Sequence, residues 1–197
     1  MQPLNDLFSV AHACLFADVI QFFLDHNIPY APRCVFEDID SSIGYVHTSG
    51  QMHDTIRQDL ATYIEPNNKI RTLLERMKGN DKELFVCTNS SFQYLDAGME
   101  FMIGKDWREL FDVVMVSARK PDFYTRNRSF RLFDEKKRRV KWQPVNELKK
   151  EHVYSQGSLD QLLQIKNWKG SQVLYIGDSL FSDLVEPHRI HGWRTGA

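Results

Sequence analysis

Apolar residues at positions 4, 7, 8, 11, 14, 15, 19, 22 and 23 recur at helical spacing, which predicts one amphipathic helix over residues 4–26. Asn27-Ile-Pro-Tyr-Ala-Pro32 ends it, since proline cannot continue a helix. A second helix is predicted from about Phe36 to Val46. A third covers Met52 to Ile64, before the punctuation Glu65-Pro66-Asn67-Asn68. The first third of the chain therefore reads as helical, without a strand signal. From Ile70 the pattern changes. Ile70–Met77 is an amphipathic helix closed by Gly79-Asn80, and Leu84-Phe-Val-Cys87 is a short apolar strand. Residues 92–103 return to helix, and Phe111–Val116 is a second strand. Asp160–Lys166 is helical, and Val173–Ile176 is a buried strand followed by Gly177. A further strand is expected to start near Gly192. This alternation predicts an α/β fold with a parallel sheet and flanking helices. Residues 123–155 interrupt it. There Arg131-Leu-Phe133 and Arg139–Gln143 flank Asp134-Glu-Lys-Lys-Arg138, a pattern expected of a β-hairpin inserted beside the sheet.

Composition changes this picture little. A chain of 197 residues, 42% hydrophobic and 26% charged, has the profile of an ordinary globular protein. Its formal net charge of −1 gives no global field to attract nucleic acid or a membrane surface. The charge is nevertheless polarised. Residues 1–66 hold Arg33 and Arg57 against nine acids, whereas residues 119–141 hold ten basic residues against three acids. The basic run is read as a solvated hairpin rather than a nucleic-acid patch. The three cysteines show no paired spacing, which fits a reducing compartment and a cytoplasmic location. No uncharged apolar stretch reaches about 18 residues, so no membrane-crossing helix is expected.

Chemistry-bearing residues fall at the carboxyl ends of the three expected strands, where ligands bind in open α/β sheets. Thr88, Asn89 and Ser90 offer a hydroxyl and backbone amides suited to phosphate oxygens, and Lys120 offers a cation to offset their charge. Asp178 and Asp183 are two acids with no basic residue between them. They suit Mg²⁺, which takes one or two carboxylates, waters and phosphate oxygens. Each group has a plainer reading, as a helix cap or a surface charge. It is their joint placement that points to a site. His188 and His191 sit three apart as zinc ligands can, but without a third ligand they read as surface histidines.

Leu84–Ser90, Ser117-Ala-Arg-Lys-Pro121 and Tyr175–Asp183 resemble the second, third and fourth motifs of the haloacid dehalogenase (HAD) superfamily. Val153-Tyr-Ser-Gln-Gly-Ser158 and Gly192-Trp-Arg-Thr195 resemble its cytosolic purine 5′-nucleotidase branch and the related 5′-nucleotidase domain-containing proteins. The resemblance implies a HAD-like, Rossmann-type core over residues 67–197, with a hairpin insert at about 123–155, and a helical cap portion over residues 1–66. It implies Mg²⁺-dependent removal of phosphate from nucleoside 5′-monophosphates, purines favoured, by a cytoplasmic protein (mitochondrial in the alternative) that is compatible with homo-oligomerisation. Thr88, Asn89, Ser90 and Lys120 would bind phosphate, Thr88 and Lys120 in catalytic roles. Asp178 and Asp183 would serve the metal.

The chain departs from that pattern in two places. The family's nucleophile lies in an Asp-x-Asp-x-Thr motif on a first core strand, expected between the strands that end at Thr88 and Asp178. No such motif stands in strand context here. Asp38-Ile-Asp40-Ser-Ser42 imitates it, but after a short acidic run that the resemblance places in the cap. Ser49 stands before Gly50 where a phosphate-binding lysine is expected. The chain by itself is accordingly read as lacking the nucleophile, and a non-catalytic HAD-like protein that binds a nucleotide or a partner is the alternative. Without the central strand, its two neighbours either close up and pair or leave the isolated chain molten or aggregating, and the second is the expected outcome.

Overall fold

The structure is a computed structural model that describes residues 7–197, apart from the Ser182 side chain. Positions 4–6 of the predicted first helix lie outside the described residues. Helix α1 (Leu7–Asp25) packs against α2 (Pro32–Thr48), which starts four residues earlier than expected. The reason is local. Proline lacks only a donor that the first helical turn cannot use, so Pro32 begins α2 rather than merely ending α1. Asp38 and Asp40 consequently sit in the middle of a helix, which rules out the strand context a nucleophile pair needs. The third expected helix is split. Asp59 separates α3 (Gln51–Gln58) from the short α4 (Leu60–Tyr63) and caps the latter by accepting from the Thr62 backbone N–H.

Helix α1, with 19 residues, is long and apolar enough to cross a membrane by length and composition alone, although Asp18 interrupts its uncharged run. Leu7, Phe8, Phe22 and Leu24 on this helix are all exposed. Asp18 lies within it, and an acid at mid-membrane depth is costly.

The core begins with α5 (Asn68–Lys78), followed by β1 (Phe85–Cys87), α6 (Phe92–Ile103) and β2 (Val113–Val116). A short α7 (Asp122–Thr125) leads into β3 (Phe130–Asp134) and β4 (Arg139–Val140), and then β5 (Val153–Gln156) and α8 (Leu159–Lys166). Five strands form one sheet in the order β1-β2-β5-β3-β4. Strands β1, β2 and β5 are parallel, with Val86 opposite Val114 and Met115 opposite Tyr154. The expected hairpin exists, but it is not inserted beside the sheet. β3 pairs antiparallel with β5 from Phe130–Gln156 to Phe133–Val153 and so extends the sheet itself. The sequence reading missed β5 as a strand, because it placed residues 153–155 inside the insert.

Alternation along β2 shows how the layers form. Val113 and Met115 face one core with Phe123, Phe130, Leu159, Leu162 and Trp193. Val114 and Val116 face the other, with Phe92, Ile103, Trp107 and Phe111. A strand buried on both faces reads as a continuous apolar run, and that is why β2 was recognisable. Asp106 ties α5 to the turn after α6: its carboxylate takes two bonds from Arg71, at 2.7 and 2.8 Å, which hold its pKa down at about 2.

The last two strands stand apart. β6 (Leu174–Ile176) and β7 (Arg194–Gly196) form their own parallel pair, joined by a π-helical turn over Leu180–Val185 and α9 (Glu186–His191). β6 does not pair with β1. The two flanking strands thus do not close up, and a groove remains between them.

Candidate functional site

Three loops at the carboxyl ends of β1, β2 and β6 meet. After β2 the backbone takes the left-handed conformation at Ser117 (φ 49) and Arg119 (φ 63), which costs roughly 1–2 kcal/mol at a non-glycine residue. That contortion is held by neighbours. Ser117 N–H donates to the Ser90 carbonyl and Ala118 N–H to the Thr88 carbonyl. Asn89 clasps the Lys120 main chain from both sides, its amide donating to the Lys120 carbonyl (3.0 Å) and its Oδ1 accepting from the Lys120 N–H (2.6 Å). The sequence suggested Asn89 as a phosphate ligand. Its side chain shapes the lysine loop, which leaves its backbone amide as the group that could serve phosphate.

Lys120 then reaches to the separate pair of strands. Its Nζ lies 2.6 Å from Asp183 Oδ1 and 2.8 Å from the Tyr175 hydroxyl. The lysine side chain is 13% exposed and that of Asp183 only 4%. Burial alone would pull the lysine pKa down, but the oxygens of Tyr175 and Asp183 outweigh it and hold the pKa above the ordinary lysine value. Lys120 is therefore a fixed positive charge at the mouth of the sheet. Asp183 Oδ2 accepts from the Ser179 N–H at 3.3 Å, so both of its oxygens are engaged. Gly177 makes this approach feasible. A Cβ there would lie 2.5 Å from the Asp183 Cβ, so the aspartate backs directly onto the glycine main chain.

Asp178 is exposed, and its carboxylate has no ion-pair partner among the described residues. Thr88 stands at the end of β1, its Oγ1 accepting from the Ser90 N–H at 3.1 Å, an arrangement that leaves the hydroxyl proton free to donate elsewhere. Neither Thr88 nor Ser90 caps the next helix. Ser91 does that, accepting from the Tyr94 N–H. All the sequence-predicted positions, Thr88, Asn89, Ser90, Lys120, Asp178 and Asp183, thus lie at one end of the parallel strands. A cavity of about 390 Å³ there is lined by Cys87, Lys120, Gly177, Asp178 and Asp183.

No cluster of three His, Cys, Asp or Glu side chains suited to a metal occurs among the described residues. The donor set is two carboxylates, one open and one tied to lysine. It fits Mg²⁺, which keeps most of its waters, and does not fit a caged ion such as structural zinc. His188 and His191 are spent on the main chain, on the carbonyls of Trp193 (3.0 Å) and Tyr124 (3.3 Å). Calorimetric titration of the chain with Mg²⁺ is expected to show weak binding that Asp178→Asn abolishes. Equal binding by the two proteins would remove Asp178 from the site.

Sequence reasoning missed Tyr175. It sits mid-strand on β6, and its hydroxyl touches Lys120, Asp183 (3.3 Å) and the Cys87 carbonyl (3.4 Å). Burial pushes its pKa up to about 12, so it acts as a neutral donor. A tyrosine two residues before the Gly177-Asp178 turn was the available signal. Burial likewise pushes the Cys87 thiol up to about 12, which excludes it as a thiolate nucleophile at neutral pH.

The 5′ nucleotidase family profile matches residues 1–197. A 5′-nucleotidase domain-containing protein of Dictyostelium discoideum is 36% identical over 203 residues, covering 100% of this chain and 34% of its own length. Human 5′-nucleotidase domain-containing protein 2 is 41% identical over 193 residues, covering 98% of this chain and 37% of its own, and its rat counterpart is also 41% identical. The chain spans about a third of the length of these curated relatives. A match along its whole length, together with relatives 36% and 41% identical over nearly all of it, makes this chain a member of the 5′-nucleotidase family.

Proposed function

We propose that the whole protein hydrolyses the phosphomonoester of nucleoside 5′-monophosphates, with purines preferred, and that this chain carries the phosphate-binding and acidic half of the site. The observation that supports this most is the convergence of Thr88, Lys120 and Asp183 from three separate strand ends. The Thr88 hydroxyl would donate to a phosphoryl oxygen, with Ser90 beside it. The Lys120 ammonium, held by Asp183 and Tyr175 on one side and by the Asn89 clasp on its main chain, would neutralise charge on the phosphoryl group as it transfers. Asp178 and Asp183 would hold Mg²⁺, which when bound would screen the phosphate's negative charge.

The nucleophile would be an aspartate forming an aspartyl-phosphate, contributed by a strand outside these residues, because the cavity's other described carboxylates are Asp178 and Asp183, read as metal ligands, and Glu83, which precedes β1 at the opposite end and is paired with Lys166 at 2.7 Å. Helices α1–α4 would form part of the cap. They adjoin the core through α3 and α6, where the His53 and Tyr94 rings lie 4.5 Å apart. The exposed Asp38 and the mid-helix Asp40 would take no part. A cytoplasmic location is proposed with this reading.

The expected result is phosphate release from IMP or GMP, with Mg²⁺ present, by a full-length polypeptide containing this stretch. The 197-residue chain alone should release none. A full-length polypeptide that binds the nucleotide but releases no phosphate would overturn the catalytic reading in favour of a non-catalytic, ligand-binding relative.

A further inference from the structure

The β3–β4 hairpin lies away from the candidate site. Phe133 pairs with Val153, the first residue of β5, so the turn after Asp134 stands at the amino ends of the parallel strands. Thr88, Lys120 and Asp178 stand at their carboxyl ends. The hairpin carries Lys136, Lys137, Arg138, Arg139 and Lys141 within six residues. Of these five, Lys141 alone has an ion-pair partner among the described residues, Asp134 at 3.8 Å.

A solvated turn accounts for part of this charge. β4 closes one end of the sheet, and cations on such an edge keep it from pairing with another chain. Three features go beyond that role. Arg138 takes the left-handed conformation (φ 50), where glycine is the ordinary choice, so its charge is kept against a backbone preference. Trp142 is 90% exposed, and one face of its ring lies on the Arg131 guanidinium, 4.3 Å from the ring centroid, while the other faces water. An exposed tryptophan beside a strand edge invites the association that edge cations prevent. Finally, a cavity of about 390 Å³ opens beside the turn, lined by Phe133, Asp134, Glu135, Lys136, Lys141 and His152. It sets both signs of charge against an aromatic wall. An acidic protein segment would be repelled there by Asp134 and Glu135. A nucleotide unit would not, since amino groups of a base donate to carboxylates while its phosphate accepts from lysines.

We infer that this hairpin is a binding surface for single-stranded nucleic acid. Backbone phosphates would lie along Lys136–Arg139. One base would stack on the open face of Trp142, and a neighbouring base would enter the cavity. Bases must be unpaired to do either, which selects a single strand over a duplex. The surface sits at the opposite end of the strands from the phosphate-binding residues, so this inference and the nucleotidase reading can fail separately.

Fluorescence anisotropy of a labelled mixed-sequence RNA of about 12 nucleotides, titrated with a full-length polypeptide containing this stretch, tests it. Log K is expected to fall with log salt at a slope of about −3, the value for four phosphate contacts on a single strand. Trp142→Ala should weaken binding at least about fivefold, the lower end for one stacked base. Arg138→Gly suits the backbone of the turn, so the thermal midpoint should stay or rise while the salt slope shrinks by about 0.7. That result separates lost charge from lost folding. Phosphate release from IMP should be the same in both variants as in the unsubstituted protein. Four outcomes would overturn the proposal: no binding at about 0.1 M salt, binding that either variant leaves unchanged, a duplex of the same sequence bound more tightly than the single strand, or polyglutamate bound as tightly as the RNA. The last would assign the hairpin to an acidic protein partner.

Discussion

Replacing Lys120 with alanine is expected to destabilise the folded chain by about 3–5 kcal/mol, the usual consequence of removing one partner from a buried ion pair. The Asp183 side chain is 4% exposed, and without Lys120 its charge keeps, among the described residues, the Tyr175 hydroxyl and the Ser179 N–H. A denaturant titration would show the loss as a lower midpoint. Asp183→Asn combined with Lys120→Met should recover much of it, because the pair then has no stranded charge. If Lys120→Ala and the double variant were equally unstable, packing of the lysine stem rather than its charge would be the cause.

The second large effect is predicted at Gly157. It follows β5 with φ +92, a backbone conformation that side chains rarely adopt, and a Cβ built there would overlap the Phe130 ring. Phe130 is 1% exposed and packs against Phe123 and Tyr154, so the ring has nowhere to go. Gly157→Ala is expected to cost about 2–5 kcal/mol, from roughly 1–3 for overpacking and 1–2 for the backbone. Thermal unfolding would report it. An unchanged midpoint would show that the β3–β5 junction can relax. Phe130→Leu in the same chain should restore part of the loss by freeing the space.

Much of the site was legible because it follows one rule: functional groups collect at the carboxyl ends of parallel strands. Val113–Val116 reads as a fully apolar run, so its end, and with it Lys120, could be placed from sequence alone. The same holds for Thr88 and Asp183. What escaped depends on contacts distant in sequence. β3 and β5 are separated by 18 residues of basic and irregular chain, and nothing local says that Phe133 will sit opposite Val153. The role of Asn89 escaped for a similar reason, since its partner lies 31 residues away. The Tyr175 hydroxyl was hidden by its own strand, where an aromatic residue is expected for packing alone. The start of α2 was misread because proline signals both the end of one helix and the beginning of another.

The way β6 and β7 are attached has a consequence for how the site is gauged. Between neighbours in a sheet, strand spacing is set by peptide hydrogen bonds at about 4.8 Å and is nearly the same in every protein. Here the acidic end and the phosphate end stand on separate sheets. What spans them, besides the Lys120 contacts, is a cluster of rings: Phe85 lies 6.1 Å from Tyr175, 5.8 Å from Trp193 and 5.3 Å from Trp168. Ring thickness, not peptide geometry, is the ruler. Exchanging one of these aromatics for a smaller residue would bring Asp178 and Asp183 nearer to Thr88 without altering any of the candidate site residues. The aperture of the site is thus inherited through positions that look like ordinary core.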